Sequence, residues 1–128
     1  MAGSFADSPR NGAWGDRPYS LIDFAGPASY TQVTNATANN AANSTPTGGQ
    51  AITPAAFGLS APIEGIFVVG GSLSGTYSVM AFETNGYQLG QPNGTWILRW
   101  IVAATGAEVA NGVALNNEIV RLIGFGPY

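Results

Sequence analysis

The sequence predicts an all-β protein: an antiparallel β-sandwich or jelly-roll-like domain behind an extended N-terminal arm. Three observations predict it. The longest apolar run, Thr95 to Ala104 (TWILRWIVAA), is short and rich in aromatic and β-branched residues. Turn signals bound it, Gln91-Pro92-Asn93-Gly94 before and Thr105-Gly106 after. Other strand-like runs follow at short spacing with turns between them and no helical periodicity. Finally, 18 glycines, 8 prolines and no lysine in 128 residues suit tight turns better than long helices.

In the Thr95–Ala104 run, alternation puts Trp96, Leu98, Trp100 and Val102 on one face and Ile97, Arg99 and Ile101 on the other. Both faces are apolar, which predicts a central strand covered on both sides. Residues 1–27 read as the arm. They hold Pro9, Pro18 and Pro27 and four glycines, with Phe5, Trp14, Tyr19 and Phe24 spaced along them. Disordered tails are poor in aromatics, whereas aromatics and arginine are enriched where protein surfaces meet. Phe5, Trp14 and Tyr19 are therefore the expected anchors of an arm ordered against another surface. A competing reading takes Tyr19 to Phe24 as the first strand.

Residues 28–128 read as the sandwich domain. Tyr30 to Thr34 (YTQVT) alternates like a strand, and Asn35 to Gln50 is a low-complexity loop. Ile52 to Leu59 (ITPAAFGL) carries one helical turn: Thr53 as cap, Pro54 at the first position, Gly58 at a left-handed exit. Strands follow at Ile63–Val69, at Thr76–Glu83 (closed by the turn dipeptide Asn85-Gly86), at the central run and at Glu118–Phe125. Tyr87 to Leu89 is a possible return strand, and Ala107 to Leu115 reads as a hairpin turn or a loop into the last strand.

The chemistry is narrow. With no histidine and no cysteine there is no Cys/His metal set, no Ser-His or Cys-His nucleophile and no disulfide. Neither a catalytic nor a cofactor-binding nor a metal-binding residue is assigned. A net charge of -3 with four arginines leaves no basic footprint for nucleic acid. No run of about 18 apolar residues predicts a membrane span, and the N-terminus does not read as a secretory signal. Three N-glycosylation patterns, at Asn35, Asn43 and Asn93, are chance matches in an Asn- and Thr-rich chain. Glu64 and Glu83 are the one conceivable glycosidase pair. Trp96 and Trp100, with Tyr77 and Tyr87, are either a sugar-binding platform or core, and core is the commoner fate of such a run. Arg99 and Arg121 each interrupt an apolar strand and need partners. The expected partners are Glu83, Glu108 or Glu118, or a carboxylate of a neighbouring subunit, so both arginines are candidate interface residues. Only 9% of residues are charged, against about 25% in an ordinary domain. A surface so poor in charge points to a subunit covered by other protein, the alternative being a neutral surface of Ser, Thr, Asn and Gln.

The segment from Pro46 to Leu59, the aromatic strand TYSVMAFE, the Trp-rich TWILRW and the closing EIVRLIGFG together resemble capsid-stabilising (cement or decoration) proteins of tailed bacteriophages. The likeness covers about residues 45–126. It implies a non-enzymatic β-sandwich subunit, often a homotrimer, on the outer surface of the virion, bridging neighbouring major capsid proteins. It carries no functional residue across. The alternative is a carbohydrate-binding or tail-associated β-sandwich module.

Overall fold

The computed structural model describes residues 10–14, 17–33, 47–60, 62–83 and 96–126. Among the described residues seven strands run in chain order: β1 (Arg10–Trp14), β2 (Arg17–Ala25), β3 (Gln50–Ile52), β4 (Gly65–Val69), β5 (Tyr77–Glu83), β6 (Trp96–Val102) and β7 (Ile119–Phe125). They form two antiparallel sheets, ordered β1-β2-β7-β4 and β3-β6-β5. The chain changes sheet between β2 and β3, β3 and β4, β4 and β5, and β6 and β7. The architecture is an all-β sandwich.

Period-two alternation decides which side chains meet between the sheets. From the first sheet, Ile22, Phe24, Val120 and Leu122 are buried; from the second, Ile52, Val79, Leu98 and Trp100. Phe57, Ile63, Val109 and Leu115 come in from connecting segments. The central run takes the central position its pattern predicts, with β6 between β3 and β5 and Leu98 and Trp100 fully buried, but it is fully covered on one side only. On its other side Ile97 is buried, and Arg99 and Ile101 are half-buried.

The boundary at residue 27 needs correction. Residues 17–25, assigned to the arm, form β2 between β1 and β7, and Ile22 and Phe24 are core. Leu21 and Ile22 lie on opposite faces, so both faces of this strand are apolar and the alternation is blurred. The neighbouring prolines and glycines then read as loop. The competing reading, Tyr19 to Phe24 as the first strand, finds a strand here, but it is longer and is the second in the chain, after β1. Residues 1–9 lie outside the described residues.

A second correction concerns Tyr30 to Thr34. Residues 30–33 join no ladder and are held by loop groups instead. The Tyr30 amide donates to the Val113 carbonyl, and the Gly112 amide donates to that of Tyr30. The Gln32 amide donates to Asn111 Oδ1 and the Val33 amide to Glu108 Oε2. Ala107 to Leu115 is a loop into β7, with one bridge between Ile101 and Glu108. The turn at 54–57 is a 3-10 helix with Pro54 first and Gly58 leaving at φ 69°, but the Thr53 side chain makes no capping bond. Its Phe57 ring lies flat on Gly124 of β7, where an added Cβ would come within 2.7 Å of the ring. Tyr87 to Leu89 and the Asn85-Gly86 turn lie outside the described residues.

Two buried side chains, Gln50 and Tyr30, join the sheets to the loops. Gln50 of β3 accepts from the indole Nε1 of Trp100 (2.8 Å) and donates to the Ala25 carbonyl at the end of β2 (2.7 Å). The Tyr30 hydroxyl accepts from the Trp100 amide (3.0 Å) and donates to Glu108 Oε2 (2.8 Å). Strand β3 is only three residues long and its ladder with β6 ends at Leu98. At Trp100 the edge is completed by the Tyr30 hydroxyl and by the Val109 amide, which donates to the Trp100 carbonyl. Burial above all, and the carboxylate of Glu108, push the Tyr30 phenol well above its ordinary range.

Two outcomes test this packing. Gly124→Ala drives a methyl into the Phe57 ring and is expected to cost about 1–3 kcal/mol, read as a lowered urea midpoint. Tyr30→Phe leaves the buried Trp100 amide without its acceptor and is expected to cost about 1–3 kcal/mol. In alkaline titration Tyr30 keeps its proton above the pH at which the unfolded chain loses it, so its contribution is complete below about pH 10 and declines as pH rises further. Phenolate absorbance and unfolding should therefore rise together in the last step, and Tyr30→Phe should remove that coupling.

Candidate protein-interaction surface

The outward residues of the first sheet fall into rows set by its register. Tyr19 lies opposite Phe125, which lies opposite Gly65; Leu21, Ile123 and Phe67 form the next row; Asp23, Arg121 and Val69 the third. Gly65 has no side chain, and the Phe125 ring fills the space above it, within 2.6 Å of where a Cβ would stand. Phe125 also stacks on Phe67, with centroids 5.6 Å apart. The result is a largely apolar face with one charged pair set into it.

That pair is bidentate. Arg121 Nε donates to Asp23 Oδ1 at 2.7 Å and Nη2 to Oδ2 at 3.0 Å, across adjacent strands. The two charges cancel locally.

Among the described residues four large apolar side chains stay exposed: Phe67 (53% exposed) and Val69 (42%) on the outer face of the first sheet, Leu73 (71%) on the loop after β4, and Met80 (46%), opposite Arg99, on the outer side of the second sheet. The loop carrying Leu73 is firmly tied. The Ser72 amide donates to the Tyr77 carbonyl and the Leu73 amide to that of Ile119. Glu118 Oε1 accepts from the Ser74 amide and hydroxyl, and the Ser72 hydroxyl accepts from the Tyr77 amide. Burial works against the Glu118 anion, but hydrogen bonds from Ser72 and Ser74 outweigh it and hold the carboxyl below its usual range. Leu73 is thus held out by a loop whose shape does not depend on it.

The sequence-predicted residues divide. Tyr19 lies on the outer face of the first sheet, in the row of Phe125. Trp14 belongs to β1, paired in register with Arg17; Phe5 lies outside the described residues. Arg121 finds Asp23, a partner the sequence reading did not name. Arg99 finds Glu108, a partner it did name, at 3.4 Å on the outer side of the second sheet. Folding alone thus brings an acid to each arginine, although the buried Arg99 Nε makes no hydrogen bond. The tryptophan platform is also overturned. Trp100 is fully buried, its ring edge-on to Tyr77, and Trp96 donates its indole N–H to the Ile63 carbonyl. Glu64 precedes β4 in one sheet and Glu83 ends β5 in the other, where it is buried. Phe67, Val69, Leu73 and Met80 escaped the sequence reading. The signal for the first two was present in IEGIFVV, which is apolar at consecutive positions and so cannot hide both faces of an edge strand.

No family model matches the chain, and neither the curated proteins nor the solved structures contain a match.

Glu118 gives a pH test. Its depressed folded pKa means that its contribution is present above the unfolded value, near 4.5, and is lost as pH falls through the folded value. Thermal midpoints should fall below about pH 4.5. Glu118→Gln should flatten that decline and lower the midpoint at neutral pH.

Proposed function

We propose that this protein is a structural subunit covered by other protein: a cement or decoration protein that bridges neighbouring major capsid subunits on the outside of a tailed-phage virion. The observation that carries the reading is Leu73, 71% exposed on a loop whose amides and hydroxyls are engaged within the chain. A large apolar side chain held in water by a pre-formed loop costs little entropy to dock, and such anchors dominate the energy of interfaces. The chain's low charge supports the same reading, because an apolar, electrically neutral surface is matched by another protein surface of the same kind. The resemblance over residues 45–126 supplies the class of partner. A protein that binds the assembled shell and not its dispersed subunits stabilises the shell by mass action.

The test is co-sedimentation with empty shells. Leu73→Asp is expected to weaken attachment by about 30-fold or more, with thermal stability unchanged because the side chain makes no core contact. The arm is tested by removing residues 1–9 only, since a longer deletion would cut into β1 and β2. That variant should fold and attach more weakly. Wild-type attachment by both variants would contradict the proposal.

A further inference from the structure

We infer that the outer side of the second sheet is a second docking surface, where Arg99 takes a carboxylate from a shell subunit and Met80 packs beside it. The inference deepens the proposed function: it rests on that reading and names what the shell must present to this face.

The two strand arginines differ in what folding leaves them. Arg121 commits two N–H groups to Asp23. Arg99 makes no hydrogen bond among the described residues, although Glu108 Oε1 lies 3.4 Å from its Nε. Glu108 is engaged elsewhere: its Oε2 accepts from the Tyr30 hydroxyl at 2.8 Å and from the Val33 amide at 2.6 Å. The Arg99 Nε is buried without an acceptor, so it has lost water there and gained no bond. The N–H groups on Nη1 and Nη2 remain, and they form the fork that a carboxylate meets with two parallel bonds. The side chain is still 34% exposed, and Nε contributes none of that exposure. Glu108, fixed by its two bonds, holds the guanidinium from behind, so docking costs the arginine little freedom.

The surroundings define the partner's chemistry. Register sets Met80 of β5 directly opposite Arg99 of β6, and Met80 is exposed. Ile101, two residues along β6 on the same side, is half-buried. Arginine and methionine are both enriched where proteins meet, and the thioether adapts to the surface that reaches it. The other three arginines belong to strands of the first sheet, and the chain has no lysine. One guanidinium with a carboxylate already beside it does not suit a phosphate backbone, which is matched by several cations along a strip. It suits a single Asp or Glu set in an apolar protein surface.

The position also fits a bridge. Leu73 stands on the loop after β4, where its amide is bonded to Ile119 of the first sheet; Arg99 and Met80 lie on the outer side of the second. Anchors on different faces let one copy hold two shell subunits, and attachment then gains from both contacts at once.

The experiment is co-sedimentation of the full chain with empty shells, with thermal midpoints measured alongside. Arg99→Gln removes the charge and the fork and should weaken attachment about 30-fold. It should also lose much of the salt sensitivity of wild-type attachment. Arg99→Lys keeps the charge but not the fork, and should attach about tenfold more weakly than wild type. Met80→Asp leaves Arg99 and Glu108 in place but sets a carboxylate across the strand from the guanidinium. It should weaken attachment as Arg99→Gln does, with no fall in the thermal midpoint, which a purely structural role for Arg99 would not produce. Wild-type attachment by Arg99→Gln or by Met80→Asp would overturn the inference and leave the proposed function standing on Leu73. A two-copy mass for wild type that Arg99→Gln reduces to one copy would put the carboxylate on a sister chain and overturn it too. Failure of the wild type to attach to shells would overturn the proposed function, and this inference with it.

Discussion

The fold depends on how Trp100 is satisfied. It is fully buried in the middle of the central strand, and its indole and both of its main-chain groups need partners there. The β3–β6 ladder stops at Leu98, so the Tyr30 hydroxyl and the Val109 amide serve the main chain of Trp100, while the side chain of Gln50, the first residue of β3, serves its indole. Each comes from a different part of the chain, and Gln50 continues the connection to Ala25 in the opposite sheet. One residue thereby fixes the spacing of the two sheets and the course of two long connections. Leaving any one of these buried groups unpaired costs about as much as a sizeable fraction of the stability of a domain this small.

The outer surfaces follow from that anchoring. With the interior closed by its own polar links, few charges remain for the exterior, and several of them are consumed locally. Asp23 holds Arg121, Glu108 faces Arg99, and Glu118 ties down the Leu73 loop. What remains facing outward on β4 and its following loop is mostly hydrocarbon. Exposed pairs such as Asp23–Arg121 contribute little to folding by themselves. Their physical importance is in neutralising the face around them, which would otherwise be expensive to bury against another protein.

Much of this was legible in the sequence, and the limits are instructive. The central strand and the 3-10 turn were readable because strong punctuation bounded each: Asn93-Gly94 and Thr105-Gly106, Pro54 and Gly58. Strand β2 was obscured because Leu21 and Ile22 make both faces apolar, and alternation carries no signal when both faces are covered. Residues 30–33 alternated like a strand, but a pattern cannot reveal that the hydrogen-bonding partners are a loop carbonyl and two side chains. The arginines were located correctly as residues needing acids. Their pairing is a matter of register, and Asp23 and Arg121 are 98 positions apart in the chain. The exposed edge residues could be seen only once β4 was known to lie at the edge of its sheet.

Native-state hydrogen exchange at Trp100 tests the central claim most directly. If its amide and indole protons are the joint by which the two sheets are held, both should exchange only through global unfolding, at rates among the slowest in the chain and with the same denaturant dependence as Leu98 and Leu122. Exchange of either proton at the rate of the loop amides of Ala110 and Asn111 would contradict it, because the joint would then open without the sheets coming apart.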